Sequence, residues 1–389
     1  MTASGTPVPQ LGAHLVGSVP LESADAVFRA VADRLGSRVT RIPDGETGDR
    51  VGWIGIQLPM LTAHPQLEYT GSRVLQEGVA SMPAFRLSPG TDPGALVIPS
   101  PGYADFAAAS YRAFAALKKD GVIAPAARFQ VSLPTPLAVP MVFLPDDQLA
   151  VEPAFLAMIL AEIDDICAEI PHDELAIQWD VSPEFIVLEG AWRTQLADIP
   201  GGIASRLAEL GNYVPAEVAL GYHLCYGDLG HKHAVEPRDT GNLVDIANRV
   251  AAALTRPLSW VHMPVPRDRD DPGYLEPLQD LRLAPDSDLY LGLVHATDGV
   301  AGARRRIAAA ALFRDSFGVG TECGMGRRAP AGIPALLDLH RAIIDGSLPS
   351  ARQPISGGPR CPGMYLRVRL TDRDGQCLRR GSETPSPPR

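Results

Sequence analysis

Val214-Pro-Ala-Glu-Val-Ala-Leu220 runs without a break into Gly221-Tyr-His-Leu-Cys-Tyr-Gly-Asp228. The first half is a short apolar run of strand type and the second is small and polar. A buried strand therefore gives way to a loop at His223 and Cys225. On an extended chain, residues two apart project to the same side. An imidazole and a thiol that converge on one point suit a borderline metal such as zinc. Two later stretches, Tyr290-Leu-Gly-Leu-Val-His295 and Phe317-Gly-Val-Gly-Thr-Glu-Cys-Gly-Met-Gly326, also pass from apolar into small and polar residues, and the second carries Cys323.

Working outward, strand-like runs at 12–19, 38–42, 128–133, 174–180, 217–222, 258–261, 288–294 and 317–321 alternate with helix-like runs. The helical stretches include 23–35, a segment near 51–61, 105–119, 153–170, 242–254, the region of Arg304–Arg306, and 334–344. Repeated strand–helix units predict an α/β fold with a parallel sheet. Eight of them predict a single (β/α)8 TIM barrel, in which active sites sit at the C-terminal ends of the strands. Residues 1–349 form the expected barrel. The stretch of about 45–127 is too long for a simple crossover and is read as an insertion over the site. From 350 to 389 a Pro/Gly/Arg-rich composition predicts a loosely ordered tail.

Composition narrows the function classes. Of 389 residues, 46% are apolar, enough for a large core. No run approaches the roughly 18 apolar residues of a membrane span, and the N-terminus lacks the basic and apolar regions of a signal peptide. The expectation is a soluble, cytoplasmic protein with no membrane partner. A net charge of −10 argues against nucleic acid, which calls for a basic surface. The five cysteines are odd in number and scattered, unlike a disulfide framework. Cys167 reads as a small hydrophobe within a helix, and Cys361 and Cys377 fall in the tail.

The strand ends collect Ser18, Asp44, Glu46, Asp180, His223, Cys225, His262, His295, Asp298, Glu322 and Cys323. Here a resemblance enters. His223-Leu-Cys225-Tyr226 followed by Glu322-Cys323-Gly324 resembles the C-terminal catalytic barrel of cobalamin-independent methionine synthase, within the superfamily that also holds uroporphyrinogen decarboxylase. In that family an H-x-C pair and a later Cys in a D-C-G-type turn hold a catalytic zinc. Val16-Gly-Ser-Val-Pro20 is similar to its G-S-F-P segment, Gly45-Glu46-Thr-Gly-Asp-Arg50 to its G-E-x-x-R segment, and Ile177-Gln-Trp-Asp180 to its I-Q-x-D-E-P segment. The likeness spans roughly 12–345. It implies Zn2+ held by His223, Cys225 and Cys323, and Ser18, Glu46 and Asp180 gripping the amino and carboxylate groups of a homocysteine-like thiol.

Departures shape the expectation further. The family's fourth ligand is a glutamate ending the strand after H-x-C. Here Val261-His262-Met263 stands in its place, so His262 is the candidate fourth ligand, with a core histidine or a donor behind the ligands as alternatives. The folate-binding N-L-N-W-S-type segment has no counterpart in Leu133-Pro-Thr-Pro-Leu-Ala-Val139, and the family's second, N-terminal barrel has none either. The resemblance thus implies a zinc-dependent transfer of a methyl or alkyl group to a thiolate, from a donor other than folate. A metal-independent decarboxylase or lyase of the uroporphyrinogen decarboxylase type, or a non-catalytic zinc-binding barrel, are the other readings. The expected partners are a small thiol and an alkyl donor, and the sequence leaves room for a homo-oligomer. Asp44, His295, Asp298 and Glu322 are candidates for the pocket wall. His231 and His233 read as a solvated loop rather than a metal pair, Arg304–Arg306 as a helix surface run, and Trp53, Trp179 and Tyr226 as packing.

Overall fold

The computed structural model describes residues 12–228 and 232–346. The tail expected at 350–389, with Cys361 and Cys377, and His231 lie outside the described residues.

The strands are β1 (Ala13–His14), β2 (Arg41–Pro43), β3 (Leu67–Gln76), β4 (Ala80–Leu87), β5 (Arg128–Pro134), β6 (Leu175–Val181), β7 (Ala219–Leu224), β8 (Trp260–Pro264), β9 (Asp288–Gly292) and β10 (Gly318–Gly320). Eight pair in parallel in the order β1-β10-β9-β8-β7-β6-β5-β2. The two ends of that sheet approach each other through parallel bridges Ala13↔Val39 and Ser18↔Gly45, the second reinforced by Val19 N–H donating to Gly45 O at 2.8 Å. The result is a nearly closed (β/α)8 barrel. Such a sheet is covered on both faces, which is why its strands read as largely apolar runs. All seven residues of β6 are buried.

The outer helices follow from amphipathic spacing and caps. In Ala24–Leu35, Val27, Phe28, Val31 and Leu35 face the sheet, and Ser23 Oγ accepts from Ala26 N–H at 3.2 Å to cap the first turn. Helices at Tyr103–Lys119, Gln148–Glu169, Gly241–Ala253, Gly299–Ala310 and Ile333–Ile344 answer the periodic stretches of the sequence. Ile199–Tyr213 is a further helix, obscured in the sequence by Gly201, Gly202 and Gly211. Among the described residues, no helix is long and apolar enough to cross a membrane.

Between β2 and β5 the structure departs from the sequence reading. The segment near 51–61 is a 3-10 stretch, Gly48–Gln57, followed by a short helix, Leu58–Ala63. It is succeeded by an antiparallel hairpin of β3 and β4 that the sequence reading did not anticipate. Half of β3 is exposed and only Leu75 is fully buried, so the apolar signal of a strand is weak there. The hairpin lies against the loops that leave the top of the barrel. Arg73 donates to Met141 O and stacks 4.9 Å over the Trp192 ring, Trp192 donates to Leu75 O at 3.2 Å, and Gln76 donates to His233 O at 2.9 Å. Loops after β5, β6 and β7 are thereby tied to one strap.

Candidate metal centre

Register places the key side chains before any packing is considered. Asp180 on β6 pairs with His223 on β7, and His223 pairs with His262 on β8. These three residues occupy one level of the barrel, just below its C-terminal rim. Cys225 follows β7 by one residue and is fixed by its own N–H to Val181 O at 2.9 Å. Cys323 comes from the turn after β10. That turn is held by Thr321 Oγ1 donating to Cys323 O at 2.7 Å, Met325 N–H donating to Ser18 O at 2.7 Å, and Gly326 N–H donating to Ser18 Oγ at 3.2 Å.

The outcome is a compact donor set. One ligand atom from each of His223, Cys225 and Cys323 lies within 4.8 Å of the other two. The sulfurs are 3.7 Å apart, and neither is in a disulfide. Two sulfurs each about 2.3 Å from one tetrahedral ion would lie about 3.8 Å apart, so the spacing fits a shared metal without rearrangement. His223 Nε2 is buried and has no hydrogen-bond partner. A buried polar atom without a partner is costly unless something else engages it. Two sulfurs and one imidazole suit zinc.

His262 is not in that group. Its Nδ1 instead lies 2.8 Å from His223 Nδ1, with the ring centroids 4.9 Å apart. Burial holds both imidazoles neutral, lowering His223 well below its usual value and His262 to about 3. As free thiols the two cysteines divide. The hydrogen bond to Cys323, then burial, pushes Cys225 up, while receiving that bond draws Cys323 down.

Carboxylates line the next layer. Asp180 Oδ1 accepts from Gln178 Nε2 at 2.9 Å, and Gln178 is itself anchored by His14 at 2.8 Å. Glu46 sits in the left-handed region at φ 49°, a conformation non-glycine residues rarely adopt outside functional or tightly determined turns. Its N–H donates to Asp44 Oδ1 at 2.9 Å, which helps hold the turn. Burial first, then the nearby Asp180 and Asp44, raises Glu46 well above the ordinary carboxylate range; burial does the same for Asp180, where the nearby Cys323 adds to it.

The remaining candidates fall into place with less access to the centre. Asp44 is fully engaged, accepting from Ser110 Oγ at 2.7 Å and pairing with Arg50 at 2.7 Å. Asp298 pairs with the Arg306 guanidinium through contacts of 2.8 and 2.9 Å. Glu322 pairs with His233 at 2.6 Å and lies 3.9 Å from His295, whose Nε2 contacts Val265 O at 2.9 Å.

Two expectations are corrected. The His233 side chain is only 8% exposed, because Gln76 of the hairpin and the Tyr226 ring enclose it. Burial alone would lower its pKa, but Glu322 and Glu236 outweigh that and hold it at about 9. Arg306 is not a surface residue. It is fully buried, donating to Leu293 O at 3.0 Å and to Arg267 O as well as to Asp298, while Arg305 stays exposed and pairs with Asp270 at 2.7 Å. The sequence reading also passed over Arg327. Its guanidinium lies 3.0 Å from Asp228 and 3.8 Å from Cys323 Sγ. Its place four residues beyond Cys323 in a glycine-rich turn was the available signal.

Against known proteins, no family model and no curated protein matches this chain. Solved structures do. One, provisionally designated a vitamin B12-independent methionine synthase from Listeria monocytogenes, superposes with a TM-score of 0.53 at 13% identity, covering 87% of this chain and 98% of that one. Another, a B12-independent methionine synthase from a Shewanella species in complex with selenomethionine, gives a TM-score of 0.54 at 12% identity, covering 87% of this chain and 97% of that one. The chain shares the barrel fold of these structures.

Proposed function

We propose that the protein is a zinc-dependent transferase that moves a methyl or alkyl group onto the sulfur of a small thiol. The observation that carries this is the His223, Cys225 and Cys323 group, with its sulfurs 3.7 Å apart at the rim of the barrel. His223 through Nε2, Cys225 and Cys323 would hold the ion. When bound, zinc would supply Lewis acidity, bringing a thiol to its nucleophilic thiolate near neutral pH.

The chain's own residues then have the following parts. Asp180 and Glu46 lie in one polar site, where burial raises both and the charge of Asp180 raises Glu46 further. A substrate ammonium placed between them would relieve that repulsion and keep both ionised. They are therefore the assigned anchor for an amino group, with Gln178 fixing the angle of the Asp180 carboxyl. Ser18 and Asp44 shape the site from behind. Ser18 pins the Cys323 turn and Asp44 pins the Glu46 turn. The reaction forms one S–C bond and breaks the bond from that carbon to its leaving group, which departs with the electron pair. Support for this chemistry also comes from the fold shared with the B12-independent methionine synthase structures.

A thiol panel of homocysteine, coenzyme M, cysteine and glutathione, titrated calorimetrically with and without zinc, tests the reading. Zinc-dependent binding of homocysteine is expected. Binding of no thiol in either state would favour a decarboxylase-type or non-catalytic barrel.

A further inference from the structure

We infer that His262 is not a metal ligand but a positioning residue, which holds the His223 imidazole in the tautomer and orientation that present Nε2 to the ion. This rests on the zinc reading above and concerns how many donors the chain supplies.

The two rings meet through Nδ1 and Nδ1 at 2.8 Å. A hydrogen bond between two neutral imidazole nitrogens requires one to carry the proton and the other to offer its lone pair. If His223 presents the lone pair of Nε2 to a metal, its proton must reside on Nδ1. His262 Nδ1 is then the acceptor, and its lone pair is spent on that bond. The other nitrogen of His262 is turned away. A side-chain carbon on Gly320 would lie 3.1 Å from His262 Nε2, and one on Gly292 would lie 3.1 Å from Cε1. The ring is walled in by the backbone at the ends of β9 and β10 and fits because those two positions carry no side chain. Nε2 thus faces the barrel wall, Nδ1 faces His223, and His262 is not a member of the 4.8 Å donor group. Metal-bound histidines commonly hand their second nitrogen to a partner that fixes the ring, and removing that partner typically weakens metal binding 10–100-fold. Here the partner is a second imidazole. The chain contributes three donors, and no other Cys, His, Asp or Glu among the described residues joins them.

The test uses the full chain loaded with zinc and reads the metal rather than turnover. Zinc-edge X-ray absorption counts bound imidazoles, and competition with a chromophoric chelator gives the affinity, for wild type, His262→Ala and His262→Gln. A single imidazole is expected in all three. Zinc affinity should fall roughly 10–100-fold in His262→Ala and recover in His262→Gln, whose amide oxygen can accept from His223 Nδ1–H. A second imidazole in wild type that disappears in His262→Ala would overturn this inference while leaving the zinc reading intact. Wild type that takes up no zinc would overturn both. Should His262→Ala fail to fold, the imidazole count in wild type decides alone.

Discussion

Replacing Cys225 by serine exchanges one sulfur donor for a hydroxyl of similar size. Cys225 is buried, so the serine hydroxyl should cost the metal-free variant about 1–3 kcal/mol relative to wild type, a loss present with or without zinc. With zinc the two proteins should separate further. Structural zinc sites bind with an apparent 10–16 kcal/mol in total, so one donor among several accounts for about 3 kcal/mol, or roughly a 100-fold change in Kd. At free zinc 100-fold above the wild-type Kd, wild type gains about 2.7 kcal/mol. The variant, with its Kd raised to about the same concentration, gains only about 0.4 kcal/mol. Urea denaturation at matched free zinc measures the difference directly as a shift in midpoint. A Cys225→Ser protein that retains the whole zinc-dependent increment would refute the assignment of this sulfur as a ligand. Cys323→Ser should behave in the same way.

Asp180→Asn removes the charge proposed to meet a substrate ammonium, a bond of the charge-assisted kind worth about 1.5–3 kcal/mol. Calorimetry should show homocysteine binding weakened by about 10–100-fold, with 3-mercaptopropionate, which lacks the amine, unchanged. Glu184 is buried beside Thr135, and burial raises its carboxyl to about 7. The folded protein therefore holds a proton that the unfolded chain has lost between about pH 4.5 and 7, and stability falls as pH rises through that window. Glu184→Gln should flatten that slope and stabilise the protein at pH 8 by about 3 kcal/mol, since each unit is about 1.4 kcal/mol; a variant no more stable than wild type at pH 8 would contradict this. Arg306→Ala leaves Asp298 without its bidentate partner and should cost about 3–5 kcal/mol by urea denaturation, whereas Arg304→Ala should stay within about 0.5 kcal/mol.

The barrel was legible because its strands are covered on both sides. A segment such as Leu175–Val181, buried at every position, is written mostly in apolar residues, its two polar members, Gln178 and Asp180, being hydrogen-bonded to each other, and its neighbours repeat the pattern. The donor group was legible for a related reason. His223 and Cys225 lie two apart at a strand end, and Cys323 ends another strand. What the sequence withheld depends on contacts distant along the chain. Three consecutive arginines look alike locally, yet only Arg306 is turned inward, toward Asp298 and the Leu293 carbonyl. His233 looks like a loop histidine until Gln76 of the hairpin and Glu322 are brought to it. Ser18 stood out by position, but its bond to Gly326 N–H spans 308 residues. The hairpin itself was hidden because half of β3 is exposed and the two strands carry Glu68, Gly71, Arg73 and Pro83, residues that dilute the apolar alternation of a strand.

Thiol alkylation at this rim requires that the sulfurs of Cys225 and Cys323 share one ion that also accepts the substrate's sulfur. Zinc-edge X-ray absorption on the purified chain, recorded before and after homocysteine is added, addresses both parts in one measurement. Stoichiometric zinc with sulfur and imidazole neighbours, and a further sulfur neighbour on addition of homocysteine, is the predicted result. Absence of zinc, or a sulfur shell unchanged by saturating homocysteine, would contradict it.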